Sequence, residues 1–190
     1  YFERYISAHA IMISFEGVPA VYFNSLFGTS NDEANWIYNF SLSPLLIHAF
    51  LFENSSYLNR WSKQLPLTKQ GNNYLNFLAS IDDIEMRPAE GILNKKSIRD
   101  LLTRLKKNGS KFSYRKIKDK SKKVYEANIT VFNALKKSNT DKEGKFYFER
   151  YVSAHAIMFS FEGVPAVYFN SLFGTSNDEA KYIMTGNNRD

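Results

Sequence analysis

Apolar residues recur at steps of three and four between Tyr147 and Phe161, which predicts a helix. The predicted apolar stripe consists of Phe148, Tyr151, Val152, His155, Met158 and Phe159. Gly163 and Pro165 end this helix, because glycine suits the position just past a helix terminus and proline cannot continue a helix. The unbroken apolar run 166–169 then predicts a strand that is buried on both faces, as in a parallel sheet.

The same order of patterns continues between residues 36 and 80. Trp36 to Phe40 predicts a short aromatic strand. A helix then begins at Pro44 and extends to Trp61, with an interruption at 54–56, and Tyr74 to Ser80 predicts the next strand. Strands that alternate with helices are typical of a parallel α/β sheet or barrel. We therefore expect 164–169 and 74–79 to be adjacent parallel strands.

A third region has a different pattern. Ser97 to Lys107 predicts a helix, with Ser97 as its N-terminal cap and Asn108-Gly109 as its end. The stretches 112–117 and 123–129 flank a polar turn, and they predict an antiparallel hairpin that projects from the main body.

Residues 1–34 return almost unchanged at 147–180, with Ile6 replaced by Val152 and Ile13 replaced by Phe159. Two copies do not make a repeat array, which needs at least about three units. The pattern indicates an internal duplication that gives the chain a second helix–strand unit. We expect the strand at 18–23 to dock beside 36–40 or to pair with a second molecule, because an open apolar edge promotes aggregation.

The net charge of +6 is concentrated in one segment. Residues 95–123 hold 13 Lys or Arg and two acidic residues, which is a local charge of +11 and leaves −5 for the rest of the chain. Such a segment is either a solvated surface or a contact for phosphate backbones. It lacks the motifs of nucleic-acid-binding folds, so we expect nucleic-acid binding to be the less favoured alternative.

Several kinds of site are excluded or disfavoured by composition. The chain has no cysteine, which excludes disulfides and thiolate metal sites and fits a cytoplasmic protein. No apolar run approaches the roughly 18 residues that span a membrane. Metal-binding HExxH spacing and glycine-rich phosphate loops are absent, so we expect no cofactor and no metal.

Candidate chemistry lies where the predicted strands end, because loops after parallel strands converge on one face. These loops are 39–44, 80–90 and 170–178. The second holds Asp82, Asp83 and Glu85, with Arg87 close enough to balance their charge. These carboxylates could serve acid–base chemistry, or they could form a helix cap or salt bridge. The histidines of the chain, His9, His48 and His155, lie in apolar helix patterns and fit packed core positions better than ligand positions.

Four stretches resemble glycoside hydrolase family 13, and in particular its sucrose phosphorylase-like branch. They are YNFSLSPLLIHAF (38–50), LNFLASIDDIEMRPAEGIL (75–93), YEANITVFNAL (125–135) and EGVPAVYFNSLFGTSND (162–178). The resemblance implies an α/β fold that is a partial (β/α)8 TIM barrel, with strands six to eight in residues 35–190 and a basic helix-hairpin insert at 95–129. The duplicated αβ unit at 1–34 is then an addition in front of it.

The resemblance also implies roles for particular residues. Asp82 matches the family's third catalytic carboxylate, which stabilises an oxocarbenium-like transition state without forming a bond, and Arg87 and Asn170 are expected to bind substrate. The chain departs from the family pattern at Ile81, where the family has His, and at 83–85, where Asp-Ile-Glu replaces Gly-Ile-Gly. Ile81 cannot donate the hydrogen bond that a histidine would give to a sugar.

The expected activity is retaining phosphorolysis of an α-glucoside such as sucrose, or a phosphorylated or glycerate analogue, with inorganic phosphate. Retaining chemistry needs a nucleophile and an acid about 5 Å apart, and in the family these follow strands four and five, outside this chain. We therefore expect a C-terminal piece of such an enzyme that self-associates, contacts no membrane and is inactive alone. The alternatives are a module that binds nucleic acid or an acidic partner through 95–123, and a structural pseudo-domain.

Overall fold

Three parallel strands form the first sheet of the computed structural model, which describes residues 35–68, 72–79, 83–116 and 121–187. The strand order is β1 (Asn35–Tyr38), β2 (Asn72–Asn76) and β6 (Val164–Pro165), with β2 in the middle. Two predictions from the sequence concern residues outside this description, namely the unit at 1–34 and the residues Ile81 and Asp82.

The predicted pairing of 74–79 with 164–169 is confirmed, because β2 and β6 are adjacent and parallel with Leu75 opposite Val164 and Asn76 opposite Pro165. The strands are shorter than predicted. β6 has only two residues, and its apolar continuation starts a helix at Phe169. The physical reason is that β2 ends at Asn76, so beyond the bond from Ala166 N to Asn76 O no neighbouring strand among the described residues offers ladder partners.

Seven α-helices accompany the strands in the described residues. They are α1 (Leu42–Phe52), α2 (Ser56–Ser62), α3 (Lys95–Lys107), α4 (Val131–Ala134), α5 (Tyr147–Ser160), α6 (Phe169–Leu172) and α7 (Glu179–Thr185). The interruption predicted near Asn54 separates α1 from α2. α1 lies at the centre of the hydrophobic core. Its fully buried apolar side chains are Leu42, Leu45, Leu46, Ile47 and Leu51. They lie on several faces of the helix, as is typical of a helix that is apolar all round. None of the described helices is long and apolar enough to cross a membrane.

Helix α5 has the predicted length, but its buried face differs from the predicted stripe. The buried positions are Arg150, Tyr151, Ala154 and Met158. Phe148, Val152 and Phe159 are exposed instead, so this part of the prediction was wrong. The helix is apolar on two sides, and the periodicity alone could not decide which side faces the core.

The predicted hairpin is confirmed as β4 (Lys111–Lys116) and β5 (Lys122–Asn128). It does not project alone, because a third strand, β3 (Asp83–Glu85), pairs antiparallel with the other side of β5. The cap of α3 was also placed wrongly. Asn94 is the N-terminal cap, and its side-chain oxygen accepts from the backbone N–H of Ser97.

Candidate functional site at the carboxyl ends of the parallel strands

Two buried asparagines mark the carboxyl ends of β1 and β2. Asn39 Nδ2 donates to Asn76 Oδ1 at 2.9 Å, and Asn76 Nδ2 donates to the backbone carbonyl of Glu162 at 3.0 Å. Asn76 therefore joins the end of β1 to the turn before β6. Sequence reasoning placed Asn39 at the start of a candidate loop but gave it no role, and it missed Asn76. The signal was an amide inside an aromatic or apolar run in each strand, since Asn39-Phe40 and Asn76-Phe77 repeat the same dipeptide.

Side-chain hydroxyls tie the loop after β1 to the loop after β2. Ser43 Oγ donates to the carbonyl of Leu78, and Ser41 Oγ donates to the carbonyl of Pro88 at 3.3 Å. Leu78 and Ser43 are both buried. The first two candidate loops, 39–44 and 80–90, are thus brought together, as the strand-end argument predicted.

Residues 83–85 of the acidic stretch form β3, which belongs to the second sheet with strand order β3–β5–β4. Asp83 pairs with Asn128, and Glu85 pairs with Glu126 in the β3–β5 ladder. Asp83 is buried and belongs to a strand, so it is not a helix cap. Asp82 lies outside the described residues, but Ala79 and Asp83 on either side of the undescribed gap are both buried.

Arg87 and Asn170, the other two predicted site residues, lie on different elements. Arg87 is exposed and begins a short 3-10 helix, Arg87–Ala89. Asn170 lies in α6, is half-buried, and accepts hydrogen bonds at its backbone carbonyl from N and Oγ1 of Thr175.

The third candidate loop packs against the start of α4. Asn177 Oδ1 accepts from Thr130 N and from Asn133 Nδ2, both at 3.1 Å. Thr130 follows two residues after Asn128, which pairs with Asp83. Loop 170–178 is therefore connected to the acidic stretch through the end of β5.

Three aromatic rings cluster beside the asparagines. The ring centroids of Phe40 and Phe77 are 5.2 Å apart, and those of Tyr38 and Phe40 are 5.8 Å apart in a stacked arrangement. Tyr38 and Phe40 are partly exposed, whereas Phe77 is buried. Partly exposed aromatic rings next to polar groups are typical of the lining of small-molecule sites.

The described histidines occupy packed positions, and no group of three or more His, Asp or Glu in the described residues could hold a metal ion. His48 is buried between the rings of Phe52 and Tyr57, with centroids 4.8 and 5.4 Å away. Burial lowers the pKa of His48, and the charge of Asp100 partly opposes this. Burial also lowers the pKa of His155, whose Nδ1 lies 2.9 Å from the carbonyl of Tyr151.

Three cations of the basic segment, Lys111, Arg115 and Lys123, make contacts within the fold. Glu90 forms salt bridges with Arg115 at 3.1 Å and with Lys123 at 2.7 Å, and these partners lower the pKa of Glu90 against an opposing effect of burial. Lys111 lies 4.2 Å from the ring centroid of Tyr182. These contacts give no support to a nucleic-acid interface.

Comparison with known proteins shows that the chain is similar in sequence to several phosphorylases. The chain is 34% identical over 184 residues to glucosylglycerate phosphorylase from Escherichia coli, covering 97% of this chain and 33% of that protein. It is 33% identical over 181 residues to glucosylglycerate phosphorylase from Allomeiothermus silvanus, covering 95% and 32%. Sucrose phosphorylase from Agrobacterium vitis is 27% identical over 165 residues, covering 81% and 30%. The chain thus spans about a third of the length of these curated relatives.

A solved structure shows the same fold. The crystal structure of sucrose 6F-phosphate phosphorylase from Thermoanaerobacter thermosaccharolyticum matches with a TM-score of 0.67 and 24% identity, covering 81% of this chain and 30% of that one. No protein-family model matches the chain.

Proposed function

Since this chain belongs to the branch of glycoside hydrolase family 13 that contains the glucosylglycerate, glucosylglycerol and sucrose phosphorylases, we propose that it forms the part of a retaining phosphorylase around strands six to eight of a (β/α)8 barrel. The order β1–β2–β6 supports this, because three successive parallel strands of a barrel are adjacent in the same order. The substrate class is an α-glucoside, such as sucrose or a glycerate or phosphorylated analogue, with inorganic phosphate.

The single observation that carries the proposal is the connection of loops 39–44 and 80–90 at the strand ends. Ser43 bonds to Leu78 and Ser41 bonds to Pro88, so residues on both sides of Asp82 are held at one edge of the parallel sheet. In this fold family that edge is where the active site lies. Asp82 would there stabilise the positive charge that develops on the sugar ring in the transition state.

Substrate binding would be shared among side chains on three loops. Arg87 is exposed, and its guanidinium can donate several hydrogen bonds to sugar hydroxyls or phosphate. Asn170, in α6 after β6, offers a donor and an acceptor. Tyr38 and Phe40 would supply apolar ring surface at the end of β1. Ile81, which replaces the histidine of the family pattern, removes one sugar contact and weakens affinity.

We propose that the chain alone does not catalyse phosphorolysis, because the nucleophile and acid of the family follow strands four and five. The direct test is formation of glucose 1-phosphate from sucrose or glucosylglycerate with inorganic phosphate. No product above a buffer blank is expected. Product that disappears in Asp82→Ala would contradict this proposal.

The role of Asp82 is tested separately by binding. Titration of the chain with sucrose, followed by NMR, should show weak binding that Asp82→Asn reduces by about tenfold, since hydrogen bonds to a charged group contribute about 1.5–3 kcal/mol. Asp100→Asn is the matched control, because Asp100 is an exposed carboxylate on α3. Equal affinity of both variants would remove Asp82 from the site.

Self-association and a cytoplasmic location complete the proposal. In the described residues β1 and β6 each have one neighbouring strand, and Ile37 on β1 is exposed, so the edges can pair with a second molecule. The absence of cysteine favours a reducing compartment. Analytical ultracentrifugation tests the proposed self-association. A species that stays monomeric at all concentrations would contradict it.

A further inference from the structure

A cavity of about 350 Å³ lies between the end of α2 and the end of α5. Its lining consists of residues within 62–67 and 160–162, together with Tyr74. These residues lie outside the candidate loops 39–44, 80–90 and 170–178. Small-molecule sites have volumes of about 300–1,000 Å³. The cavity is therefore large enough for a small organic ligand.

Three hydroxyl groups line this cavity, and each donates its proton within the fold. Ser62 Oγ and Ser160 Oγ donate to backbone carbonyls three residues earlier in their helices, at 3.1 and 2.7 Å. Tyr74 Oη donates to the carbonyl of Pro66 at 2.9 Å. A hydroxyl group has one proton and two lone pairs, so these three oxygens can only accept hydrogen bonds from a ligand.

Glu162 adds a negative charge to the same lining. Its carboxylate is exposed and forms no ion pair within the described part of the chain. Helix α5 ends at Ser160, and the C-terminal end of a helix carries a partial negative charge that favours cations. Within the described residues, no Lys, Arg, His, Asn or Gln side chain lines the cavity. Its polar side chains therefore offer acceptors and negative charge only.

The rest of the lining is apolar and includes Leu65, Leu67 and Phe161. Phe161 is half-buried, and its ring centroid lies 5.9 Å from that of Trp61, which fixes the ring beside the cavity. The faces of aromatic rings attract cations, and apolar side chains favour the burial of hydrocarbon groups. This part of the lining suits a ligand that carries an apolar group next to its charge.

We propose that this cavity binds a small organic cation, namely a protonated primary amine on a short apolar or aromatic group. An ammonium group has three N–H donors and no acceptor, which matches the carboxylate of Glu162 and the three hydroxyl oxygens. The hydrocarbon part packs against Leu65 and Phe161. A neutral alcohol of the same shape lacks the charge, and Glu162 repels a carboxylate. The proposal does not depend on the phosphorylase activity, because the cavity lies outside the candidate loops.

Titration of the full chain with 2-phenylethylammonium, followed by NMR, tests this site. The amide signals within 62–67 and 160–162 and that of Tyr74 should shift with a Kd in the millimolar range. The matched probes are 2-phenylethanol and 3-phenylpropanoate, which have the same ring and tether but a neutral or a negative end group. The ammonium ion should bind at least about threefold more tightly than the alcohol, since an exposed ion pair contributes up to about 1 kcal/mol. The carboxylate should bind more weakly than the alcohol.

Glu162→Gln keeps the size of the side chain and removes its charge. It should weaken ammonium binding about threefold to fivefold and leave binding of the alcohol unchanged. Glu149→Gln is the matched control and should change neither, because Glu149 is exposed in the first turn of α5, about 15 Å along the helix from Ser160.

Four results would overturn the proposal. The first is the absence of any shift at the lining residues, and the second is equal affinity for the ammonium ion and the alcohol. The third is an equal effect of Glu162→Gln and Glu149→Gln on ammonium binding. The fourth is a set of shifts confined to loops 39–44, 80–90 and 170–178, which would place the amine at the strand ends instead.

Discussion

Asn39 and Asn76 lie side by side at the carboxyl ends of neighbouring parallel strands, with Nδ2 of Asn39 2.9 Å from Oδ1 of Asn76. Both side chains are buried, and Asn76 also donates to the carbonyl of Glu162. One amide thus connects β1, β2 and the turn that leads into β6. This connection fixes the edge of the sheet from which the candidate loops leave.

Asn76→Leu should destabilise the fold by about 1–3 kcal/mol. The replacement leaves the buried side-chain amide of Asn39 without its acceptor, and a buried group without its partner costs about 1–3 kcal/mol. Asn73→Leu is the control, since Asn73 lies in the same strand but is exposed, and its effect should stay within about 0.5 kcal/mol. Urea denaturation measures both free energies of unfolding. Similar values would show that the Asn39–Asn76 pair does not stabilise the sheet.

Arg150→Met should cost about 3 kcal/mol of unfolding free energy. Arg150 is buried, and it donates to the carbonyls of Leu135 and Lys136 and to Asp141 Oδ2, each at 2.8 Å. Loss of one partner of a buried ion pair leaves the other partner and the carbonyls unsatisfied. Lys145→Met removes an exposed ion pair with Glu143 and should cost less than about 0.5 kcal/mol. Equal losses would contradict this account.

Low pH should weaken the ion pair between Arg150 and Asp141, because it protonates the Asp141 carboxylate. The backbone N–H of Phe146 donates to its carboxylate, and with Arg150 and the N–H of Lys145 it holds the pKa of Asp141 well below its usual value. A carboxylate with a lowered pKa in the fold stabilises it above the unfolded pKa of about 3.9, and this stabilisation is lost as pH falls below that value. Asp141→Asn should reduce the melting temperature at pH 7 and flatten its decline below pH 4. An unchanged acid profile in Asp141→Asn would exclude this role.

The buried histidines should make stability depend on pH near neutrality. Burial lowers the pKa of His48 below its ordinary value of 6.5, so the unfolded chain takes up a proton first as pH falls. Stability is therefore full above about pH 6.5 and decreases as pH falls below it. His48→Phe should flatten the slope of melting temperature between pH 7 and pH 5. A slope equal to that of the unsubstituted chain would assign the dependence to other groups.

Gly163→Ala should separate β6 from β2. Gly163 has φ of +121°, and an added Cβ would lie 2.5 Å from the carbonyl oxygen of Tyr74. The backbone must shift where the two strands meet, which we expect to cost more than about 3 kcal/mol. Gly91→Ala is the control, because Gly91 also has positive φ but no atom within 4 Å of the added Cβ, so it should cost only about 1–2 kcal/mol. Thermal denaturation compares the two variants, and an equal loss would show that the contact with Tyr74 does not matter.

The sequence by itself determined the features that depend on neighbouring residues. The length of α5, its end before Gly163, and the hairpin of β4 and β5 follow from periodicity and turn residues, whose effects act within a few positions. The four family motifs likewise identified the phosphorylases from residues alone. The roles of Asp82, Arg87 and Asn170 remain predictions.

Only the tertiary structure decided which partners each segment finds. Val164–Pro165 forms a strand only where it pairs with β2, and Asp83–Glu85 forms a strand because it pairs with β5. The sequence predicted one apolar stripe on α5, and contacts with the rest of the fold decided that Tyr151 faces inward and Val152 outward. Strand pairing and burial depend on groups distant in sequence, whereas helix periodicity and turn chemistry act over only a few residues.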